Sequence, residues 1–254
     1  MLPLFERLAR EAGAAILAVR REGFVLETKG DASPVTRADR VAEGIILAGL
    51  RAADPDLAIV AEEEVALSAE PPVPERRFVL VDALDGTRDF VAGGDDFTVN
   101  IALVEDGVPV AGVVHVPVTG ATYGGDGTGA WRDGVAIRTA PQVPPRIVAS
   151  RSHRTAETDA WIADVQRRHG PCEIVHVGSS LKFCLLAEGS ADLYPRFGRT
   201  MEWDVAAGDA ILRAAGGTTW HTDGRPFVYG NVAPRDAAFS NPDFIAAAGR
   251  DFPG

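Results

Sequence analysis

The sequence contains very little cysteine, and this scarcity excludes several classes of protein. Its two cysteines among 254 residues, Cys172 and Cys184, cannot by themselves form a disulfide framework or a four-ligand zinc site. Both lie between apolar neighbours, which predicts buried free thiols. The N-terminus has no signal-peptide pattern. We therefore expect a cytoplasmic protein, with peripheral membrane association left open.

Basic residues are also in short supply. The chain has 25 Lys and Arg against 36 Asp and Glu, which gives a formal net charge of -11. Nucleic-acid backbones and anionic membranes require a basic footprint, so neither is an expected partner. No apolar run approaches the length of a transmembrane segment, and no internal repeat is present. An anionic small molecule is still compatible with this charge, because a bound cation inverts the local field.

The remaining composition is that of a globular protein. Hydrophobic residues make up 46% of the chain and charged residues 24%, and its length suffices for one large domain or two packed lobes. Helical spacing of apolar residues predicts an amphipathic helix over residues 2–21 and a second one over about 36–50. Short apolar runs predict strands over residues 57–61 and 78–81.

The pattern changes from residue 97 onward, where apolar and polar residues alternate as in a strand. Asp106-Gly107 predicts a hairpin turn, and further glycine turns predict an antiparallel meander. The proline-rich stretch 139–145 is the best lobe boundary. We therefore expect an N-terminal lobe, 1–140, with helices on a mostly antiparallel sheet, and a smaller α/β lobe, 141–254, with the site between them. In the second lobe, the sequence predicts strands over 147–149 and 174–177 and helices over about 156–167, 179–188 and 203–215.

The densest chemical signal is the run from Val81 to Thr87. Asp82 and Asp85 follow an apolar strand, and Gly86 allows a sharp turn after which N–H groups can face an anion. Two unit charges about 4 Å apart repel by roughly 4 kcal/mol at an effective dielectric near 20, which favours a bound cation. Oxygen ligands without His or Cys suit Mg²⁺, Mn²⁺ or Ca²⁺ better than zinc. Taken alone, the run is equally compatible with an ordinary turn.

Two further acidic segments accompany this run. Glu62-Glu63-Glu64 follows the first predicted strand, although an isolated run of this kind is more often a solvated loop. Asp204 lies at the start of a predicted helix, where an acid also complements the helix dipole. In order and spacing, the three segments together resemble the signature of the lithium-sensitive, Mg²⁺-dependent phosphatase superfamily that contains inositol monophosphatase and fructose-1,6-bisphosphatase. The resemblance implies an α/β fold, a layered αβαβα sandwich.

Other segments make the resemblance more specific. They look like the bacterial branch of 3'(2'),5'-bisphosphate nucleotidases, which remove the 3'-phosphate of adenosine 3',5'-bisphosphate (PAP), a by-product of sulfate activation. The resemblance therefore implies a phosphatase that converts PAP to AMP and phosphate, and also acts on its sulfated precursor, PAPS. Ala83 departs from the family, which usually has proline there, but the change removes no ligand. The segments that carry this resemblance are Lys29–Asp39, Phe97–Leu103, Ser150–His153, Gly178–Cys184 and Leu193–Gly198.

The resemblance also implies a metal site and a group that activates water. Two or three Mg²⁺ ions would bind, with Mn²⁺ possible and Li⁺ inhibitory, and two ions about 3.5–4 Å apart could clamp an in-line displacement. Thr87 with Asp39, together with Glu62, would orient and deprotonate the attacking water, because a hydroxyl needs a carboxylate to relay its proton. Backbone N–H groups of Gly86 and Thr87 would hold the scissile phosphate. The implied metal ligands are Glu62, Asp82, Asp85, Asp204 and the carbonyl of Leu84.

A second set of residues is implied in substrate binding. Ser179, Lys182 and Arg196 are candidates for the second, non-reacting phosphate, with His153 nearby. Each could equally be structural, since a helical lysine is usually solvated and an arginine after a proline often belongs to a loop. The full implied substrate-contact set is Glu62, Leu84, Asp85, Gly86, Thr87, His153, Ser179, Lys182, Arg196 and Asp204.

Alternative functions stay open at this point. The same chemistry could act on an inositol or sugar phosphate, and an inactive metal-binding interaction module would use the same scaffold. The resemblance covers nearly the whole chain and is compatible with a monomer or a homodimer. The glycine-rich loop 124–129 is not counted as a phosphate cradle, because Trp131 and Asp133-Gly134 indicate a hairpin there.

Overall fold

The computed structural model describes residues 1–28, 34–68, 70, 72–151, 155–231 and 238–251. Two amphipathic helices form its first layer, α1 (Leu2–Glu22) and α2 (Arg37–Ala53), which confirms both predicted helices. Between them, the short strands β1 (Glu27–Thr28) and β2 (Pro34–Val35) pair in antiparallel orientation. No helix in these ranges is long and apolar enough to cross a membrane.

A seven-stranded sheet packs against α1 and α2. Its strands are β3 (Ala58–Ala61), β4 (Arg77–Asp85), β5 (Thr98–Glu105), β6 (Val108–His115), β7 (Thr122–Asp126), β8 (Gly129–Arg132) and β9 (Val135–Ile137). They are adjacent in chain order; β3 is parallel to β4, and the other pairs are antiparallel. The predicted meander is therefore confirmed. Two short helices, α3 (Glu62–Leu67) and α4 (Thr87–Val91), follow β3 and β4.

The remaining described residues form a five-stranded mixed sheet and three helices. The strands are β10 (Ile147–Ser150), β11 (Ile174–Val177), β12 (Leu193–Arg196), β13 (Thr218–His221) and β14 (Phe244–Ala247), and the helices are α5 (Ala156–His169), α6 (Leu181–Ala187) and α7 (Glu202–Ala215). The strand order is β11-β10-β12-β14-β13. Parallel pairing of β10 with β11 and β12 follows the predicted α/β alternation. The antiparallel pairing of β14 with β12 and β13 was not predicted.

Three hydrophobic cores hold the five layers together, and the second of them spans both sides of α6 and α7. The first joins α1 and α2 to one face of the seven-stranded sheet, with Phe5 and Ile46 fully buried. The second lies between the sheets, where α6 and α7 contribute side chains such as Phe183. The third joins α5 to the five-stranded sheet through Ile147 and Ile162. This is the predicted αβαβα sandwich. The division at residue 140 stays a prediction, since the second core contains residues from both sides of it.

Two glycines let α7 lie directly on the seven-stranded sheet. A Cβ atom on Gly112 would lie 2.5 Å from the carbonyl oxygen of Ala207, and one on Gly125 would lie 2.8 Å from Cα of Ile211. Both distances are too short for a real Cβ, so a side chain at either position would push the helix away. The glycine-rich loop is thus the β7–β8 hairpin, and Gly125 within it serves helix packing.

The two cysteines differ in burial. Cys184 lies on α6 and is buried, as predicted, and burial raises the pKa of its thiol. The prediction of a buried thiol is wrong for Cys172, which is only partly buried. Cys172 lies in the connection between α5 and β11, where its thiol donates a hydrogen bond to the carbonyl of Gly170 at 3.4 Å.

Candidate active site

Three carboxylates meet where β3 and β4 end. Glu62, Asp82 and Asp204 each place one oxygen within 4.8 Å of the others. Because β3 and β4 are parallel and Ala61 pairs with Val81, the next residues are neighbours, Glu62 just beyond the end of β3 and Asp82 within β4. Asp204 arrives from the first turn of α7. Residues more than 100 positions apart thus form one acidic cluster.

The three glutamates at the start of α3 have different surroundings. The backbone N–H groups of Glu63 and Glu64 donate to the two carboxylate oxygens of Glu43, at 2.8 and 2.9 Å. The carboxylate of Glu64 forms an ion pair with Arg51 at 2.7 Å. Glu62, the residue that the family resemblance implies as the ligand, is the one that joins the acidic cluster.

Asp85 lies beside this cluster rather than within it. Its Oδ2 accepts hydrogen bonds from the backbone N–H of Ser180 at 2.6 Å and from Nδ2 of Asn100 at 3.4 Å. The charge of Asp85 nevertheless raises the pKa values of both Asp82 and Asp204. The fourth predicted ligand is therefore an electrostatic neighbour of the other three.

A β-bulge explains how Asp82 and Asp85 face the same region. Residues three apart on a regular strand point to opposite faces of the sheet. Here Asp82 pairs with Asn100 and Asp85 pairs with Thr98. The two pairs are three residues apart on β4 but two residues apart on β5, so β4 contains one extra residue. The extra residue restores a common direction, which is a frequent function of bulges beside active sites. Ala83, in the bulge, is buried.

Backbone hydrogen bonds orient the carboxylates. Oδ1 of Asp82 accepts from the N–H of Leu84 at 3.0 Å, and Oδ2 of Asp204 accepts from the N–H of Met201 at 2.9 Å. Asp85 is held in the same way by a backbone N–H. In each of these residues one carboxylate oxygen accepts a backbone hydrogen bond that fixes the side chain.

The electrostatics of the cluster fit a bound cation. Burial raises the pKa of Asp82 well above its usual value, and the charges of Glu62, Asp85 and Asp204 raise it further. Burial followed by the charges of Asp85 and Glu62 does the same to the pKa of Asp204. A divalent ion would remove this repulsion, and a set of carboxylate oxygens without His or Cys suits a hard cation. The residues present therefore fit the implied metal.

Thr87 and Asp39 form the predicted pair. Oγ1 of Thr87 lies 3.1 Å from Oδ1 of Asp39 and 3.1 Å from the carbonyl oxygen of Leu84. The other carboxylate oxygen of Asp39 accepts from the N–H and hydroxyl of Thr36, at 2.7 and 2.8 Å, and so caps α2. Burial raises the pKa of Asp39, and the hydrogen bonds from Thr36 oppose that shift. One carboxylate oxygen of Asp39 therefore caps α2, and the other faces the hydroxyl of Thr87.

Gly86 allows the turn that carries Thr87 into position. Its φ of 93° lies in the region that favours glycine, and it caps α4. A Cβ atom there would also lie 2.8 Å from the carbonyl oxygen of Asp96. Both backbone conformation and space therefore require glycine at this position.

A cleft of about 380 Å³ opens above these groups. Residues from both sheets line it. Asp39, Asp82 and Leu84 are buried behind the lining residues, and His153 lies outside the described residues. The predicted site residues that line the cleft are Glu62, Asp85, Gly86, Thr87, Ser179, Lys182, Arg196 and Asp204.

The cleft wall formed by α6 and strand β12 is cationic. Lys182 is buried, and its ammonium donates to the carbonyl oxygens of Val177, at 3.3 Å, and Ser179. Burial lowers the pKa of Lys182 to about 8. Arg196 belongs to strand β12 and is also buried; its Nη2 donates to the carbonyl of Arg199 at 2.8 Å. Its Nε has no hydrogen-bond partner among the described residues.

Some residues of the site were not predicted. Tyr194, Trp203 and Ser180 line the cleft, and Asn100 and Ser180 donate hydrogen bonds to Asp85. Tyr194, Ser180 and Asn100 each lie within a segment that carries the family resemblance, and Trp203 directly precedes the predicted ligand Asp204. The available signal for Asn100 was a polar amide within an otherwise apolar, buried strand.

Sequence comparison agrees with this geometry. Residues 1–248 match the sequence profile of the inositol monophosphatase family. The chain belongs to the inositol monophosphatase family. Family membership, the enzyme class of phosphatases and the predicted fold are thereby confirmed, and the metal-dependent chemistry of the family agrees with the acidic cluster.

Relatives within this family include bacterial nucleotidases. The 3'(2'),5'-bisphosphate nucleotidase CysQ of Escherichia coli O157:H7 is 42% identical over 255 residues, covering 96% of this chain and 98% of the relative. The CysQ protein of Salmonella typhimurium is 43% identical with the same coverage. The crystal structure of CysQ from Bacteroides thetaiotaomicron superimposes with a TM-score of 0.81 at 36% identity, covering 98% of this chain and 97% of the other.

Proposed function

We propose that this member of the inositol monophosphatase family is a 3'(2'),5'-bisphosphate nucleotidase that hydrolyses PAP to AMP and phosphate, and also acts on PAPS. The observation that carries the proposal is that two walls of one cleft carry groups of opposite charge. One wall holds the carboxylate cluster with Thr87, and the other holds the buried cations Lys182 and Arg196. A substrate with two separate phosphates matches both walls, and the CysQ relatives support the nucleotide.

Mg²⁺ is the proposed metal, as two or three ions, with Mn²⁺ as a substitute and Li⁺ as an inhibitor. Glu62, Asp82, Asp85 and Asp204 with the carbonyl of Leu84 would hold it. When bound, it supplies positive charge that stabilises the phosphoryl oxygens during transfer. The proposed location of the protein is the cytoplasm.

Thr87 and Asp39 are the proposed groups that activate water. The hydroxyl of Thr87 accepts a proton from the attacking water as its own proton passes to Oδ1 of Asp39, 3.1 Å away. The raised pKa of Asp39 favours this uptake, because a buried carboxylate is a stronger base than an exposed one. Glu62, at the edge of the cleft, assists in orienting the water. The water oxygen then bonds to phosphorus as the bond to the 3'-oxygen breaks. The 3'-oxygen takes a proton from water in the cleft and leaves as the 3'-hydroxyl of AMP, and Asp39 returns its proton to solvent.

The remaining contacts hold the substrate in place. The N–H groups of Gly86 and Thr87 bind the scissile phosphate at the turn before α4. Lys182, Arg196 and Ser179 bind the second phosphate, and Nε of Arg196 provides a donor that has no acceptor within the described part of the protein. A phosphate oxygen at this position would satisfy that buried donor.

A comparison of substrates tests this function. We expect Mg²⁺-dependent phosphate release from PAP with a kcat/KM at least about 10-fold above that for inositol 1-phosphate, which lacks a second phosphate, since each charged contact to that phosphate contributes about 1.5–3 kcal/mol. Fructose 1,6-bisphosphate also has two phosphates, and a preference for PAP over it follows from the nucleotide specificity that the CysQ relatives support. Phosphate release is measured for all three substrates at one Mg²⁺ concentration. A preference for inositol 1-phosphate would assign the protein to the monophosphatases, and a preference for the sugar bisphosphate would assign it to the sugar phosphatases.

Replacing Lys182 tests the second phosphate site. Lys182→Met fills the same buried space without charge, and we expect it to lower kcat/KM for PAP about 10- to 100-fold, as for loss of a charged hydrogen bond. Activity on inositol 1-phosphate should change much less. Equal losses on both substrates would remove Lys182 from the second phosphate site. Circular dichroism provides the control for folding.

The pKa of Lys182 predicts a pH dependence that is specific to PAP. Because burial lowers this pKa to about 8, the ammonium loses its proton as the pH rises through 8, and attraction for the second phosphate is lost with it. We expect kcat/KM for PAP to fall above pH 8 relative to adenosine 3'-phosphate, which lacks the second phosphate. Parallel pH profiles for the two substrates would contradict this role.

A further inference from the structure

Asn100 links the two sides of the cleft from within the protein. It lies in β5, is buried, and uses both ends of its amide. Its Nδ2 donates to Oδ2 of Asp85 at 3.4 Å, and its Oδ1 accepts from the hydroxyl of Ser180 at 2.7 Å. The N–H of Ser180 donates to the same Asp85 oxygen at 2.6 Å. The three residues therefore close a ring of hydrogen bonds between the seven-stranded sheet and the start of α6.

The ring requires an amide at position 100. An ionised carboxylate at Asp85 only accepts hydrogen bonds, so the group facing it must donate. The hydroxyl of Ser180 also contacts Oγ1 of Thr98 at 2.9 Å, and it can donate to Asn100 while accepting from Thr98. An amide donates at one end and accepts at the other, which an aspartate of the same size cannot do. Chemistry thus fixes the orientation of Asn100.

Two members of the ring, Asp85 and Ser180, serve different parts of the proposed site: the metal and the second phosphate. Asp85 is a proposed metal ligand, and its Oδ2 is occupied by the ring, so the ring fixes the direction of the other oxygen. Ser180 precedes α6 and lies two residues before Lys182, a proposed contact to the second phosphate. A shift of Ser180 would therefore move both Asp85 and the first turn of α6, which presents Lys182.

We propose that Asn100 is a positioning residue that sets Asp85 for metal binding and, through Ser180, sets the start of α6, with Lys182, for the substrate. The role of Asn100 toward the substrate rests on the proposed nucleotidase function, and its role toward the metal does not require that function. Partners that orient metal ligands typically contribute about 10- to 100-fold to metal affinity or activity. The same range is expected here.

The test uses the full-length protein and Mn²⁺ alone, followed by PAP. In Asn100→Asp the new carboxylate faces Asp85, so we expect Mn²⁺ affinity, measured by electron paramagnetic resonance without substrate, to fall about 10- to 100-fold. Ser180→Ala keeps the N–H bond to Asp85 and removes the link to Asn100; we expect it to raise KM for PAP more than it lowers kcat. Thr219→Val is the matched control, since it removes a buried threonine bond to Asp209 at 2.8 Å away from the cleft.

The outcomes separate this proposal from the proposed function. Wild-type Mn²⁺ affinity in folded Asn100→Asp would overturn the positioning role, even if PAP is hydrolysed. If Asn100→Asp weakens Mn²⁺ binding and the wild-type protein does not hydrolyse PAP, the positioning role is supported and the nucleotidase function is rejected. If Asn100→Asp does not fold, the result for Ser180→Ala decides. Wild-type Mn²⁺ affinity together with a wild-type KM for PAP in that variant would overturn the proposal. A change in Mn²⁺ affinity or in KM for PAP, with both values unchanged in Thr219→Val, would support it.

Discussion

Asp82→Asn will abolish Mg²⁺-dependent phosphate release while leaving the protein folded. Asp82 lies at the centre of the acidic cluster, where its carboxylate is buried next to Glu62 and Asp204. Loss of one preorganised electrostatic group typically costs about 100- to 1,000-fold in kcat, and a lost ligand is expected to cost at least that. Phosphate release from PAP and Mn²⁺ affinity are measured on the same preparation. Near-normal turnover would contradict the metal assignment.

The same substitution should stabilise the protein when metal is removed. The folded-state pKa of Asp82 is raised, so its contribution to stability is present below about pH 4 and is lost as the pH rises toward that raised value. Asparagine keeps an oxygen for the N–H of Leu84 and removes the repulsion. In EDTA at pH 8 we expect a higher Tm for Asp82→Asn than for wild type. The exposed Asp56→Asn is the control and should leave Tm unchanged.

Asp39→Asn and Thr87→Val will each lower kcat by about 100- to 10,000-fold, the range for loss of general base catalysis. Neither side chain belongs to the acidic cluster, so Mn²⁺ affinity should stay near that of the wild type. This split distinguishes the pair from the metal ligands. Single-turnover rates and Mn²⁺ binding, measured on each variant, test it.

A double variant shows whether the two groups act together. If the proton passes from Thr87 to Asp39, removing both should cost about as much as the worse single substitution. Asp39→Asn retains a side-chain oxygen that can cap α2, so helix content should be unchanged. If the double variant instead loses as much kcat as the two single losses multiplied together, the two groups act independently, which would contradict a shared proton path.

Much of the site could be predicted from sequence because its residues occupy positions with local signatures. Asp82 and Glu62 follow apolar strands, Asp204 lies in the first turn of a helix, and Asp39 lies three residues after a capping threonine. Each of these positions depends on spacing over a few residues. Local spacing, read together with the family resemblance, was therefore enough to predict which carboxylates lie near the cleft.

The unpredicted contacts depend on distant pairing. Asp85 and Ser180 are 95 positions apart, and their hydrogen bond exists only because the two sheets pack on α6 and α7. Arg196 follows a proline, which favoured a loop, but β12 pairs with β14 and buries it. Strand β10 was predicted from a short apolar run, and β12, β13 and β14 lack a comparable strand signal. Strand β12 contains Pro195, β13 has Trp220 as its one apolar residue, and half of β14 is alanine, which does not favour strands.

The central claim is that the phosphate removed is the one on the carboxylate side, with the second phosphate held by Lys182 and Arg196. Phosphorus nuclear magnetic resonance of PAP incubated with the protein and Mg²⁺ identifies the product directly. We predict AMP with a 5'-phosphate and one equivalent of inorganic phosphate, and no release in EDTA. Adenosine 3'-phosphate as the product, or unchanged PAP in the presence of Mg²⁺, would contradict the account.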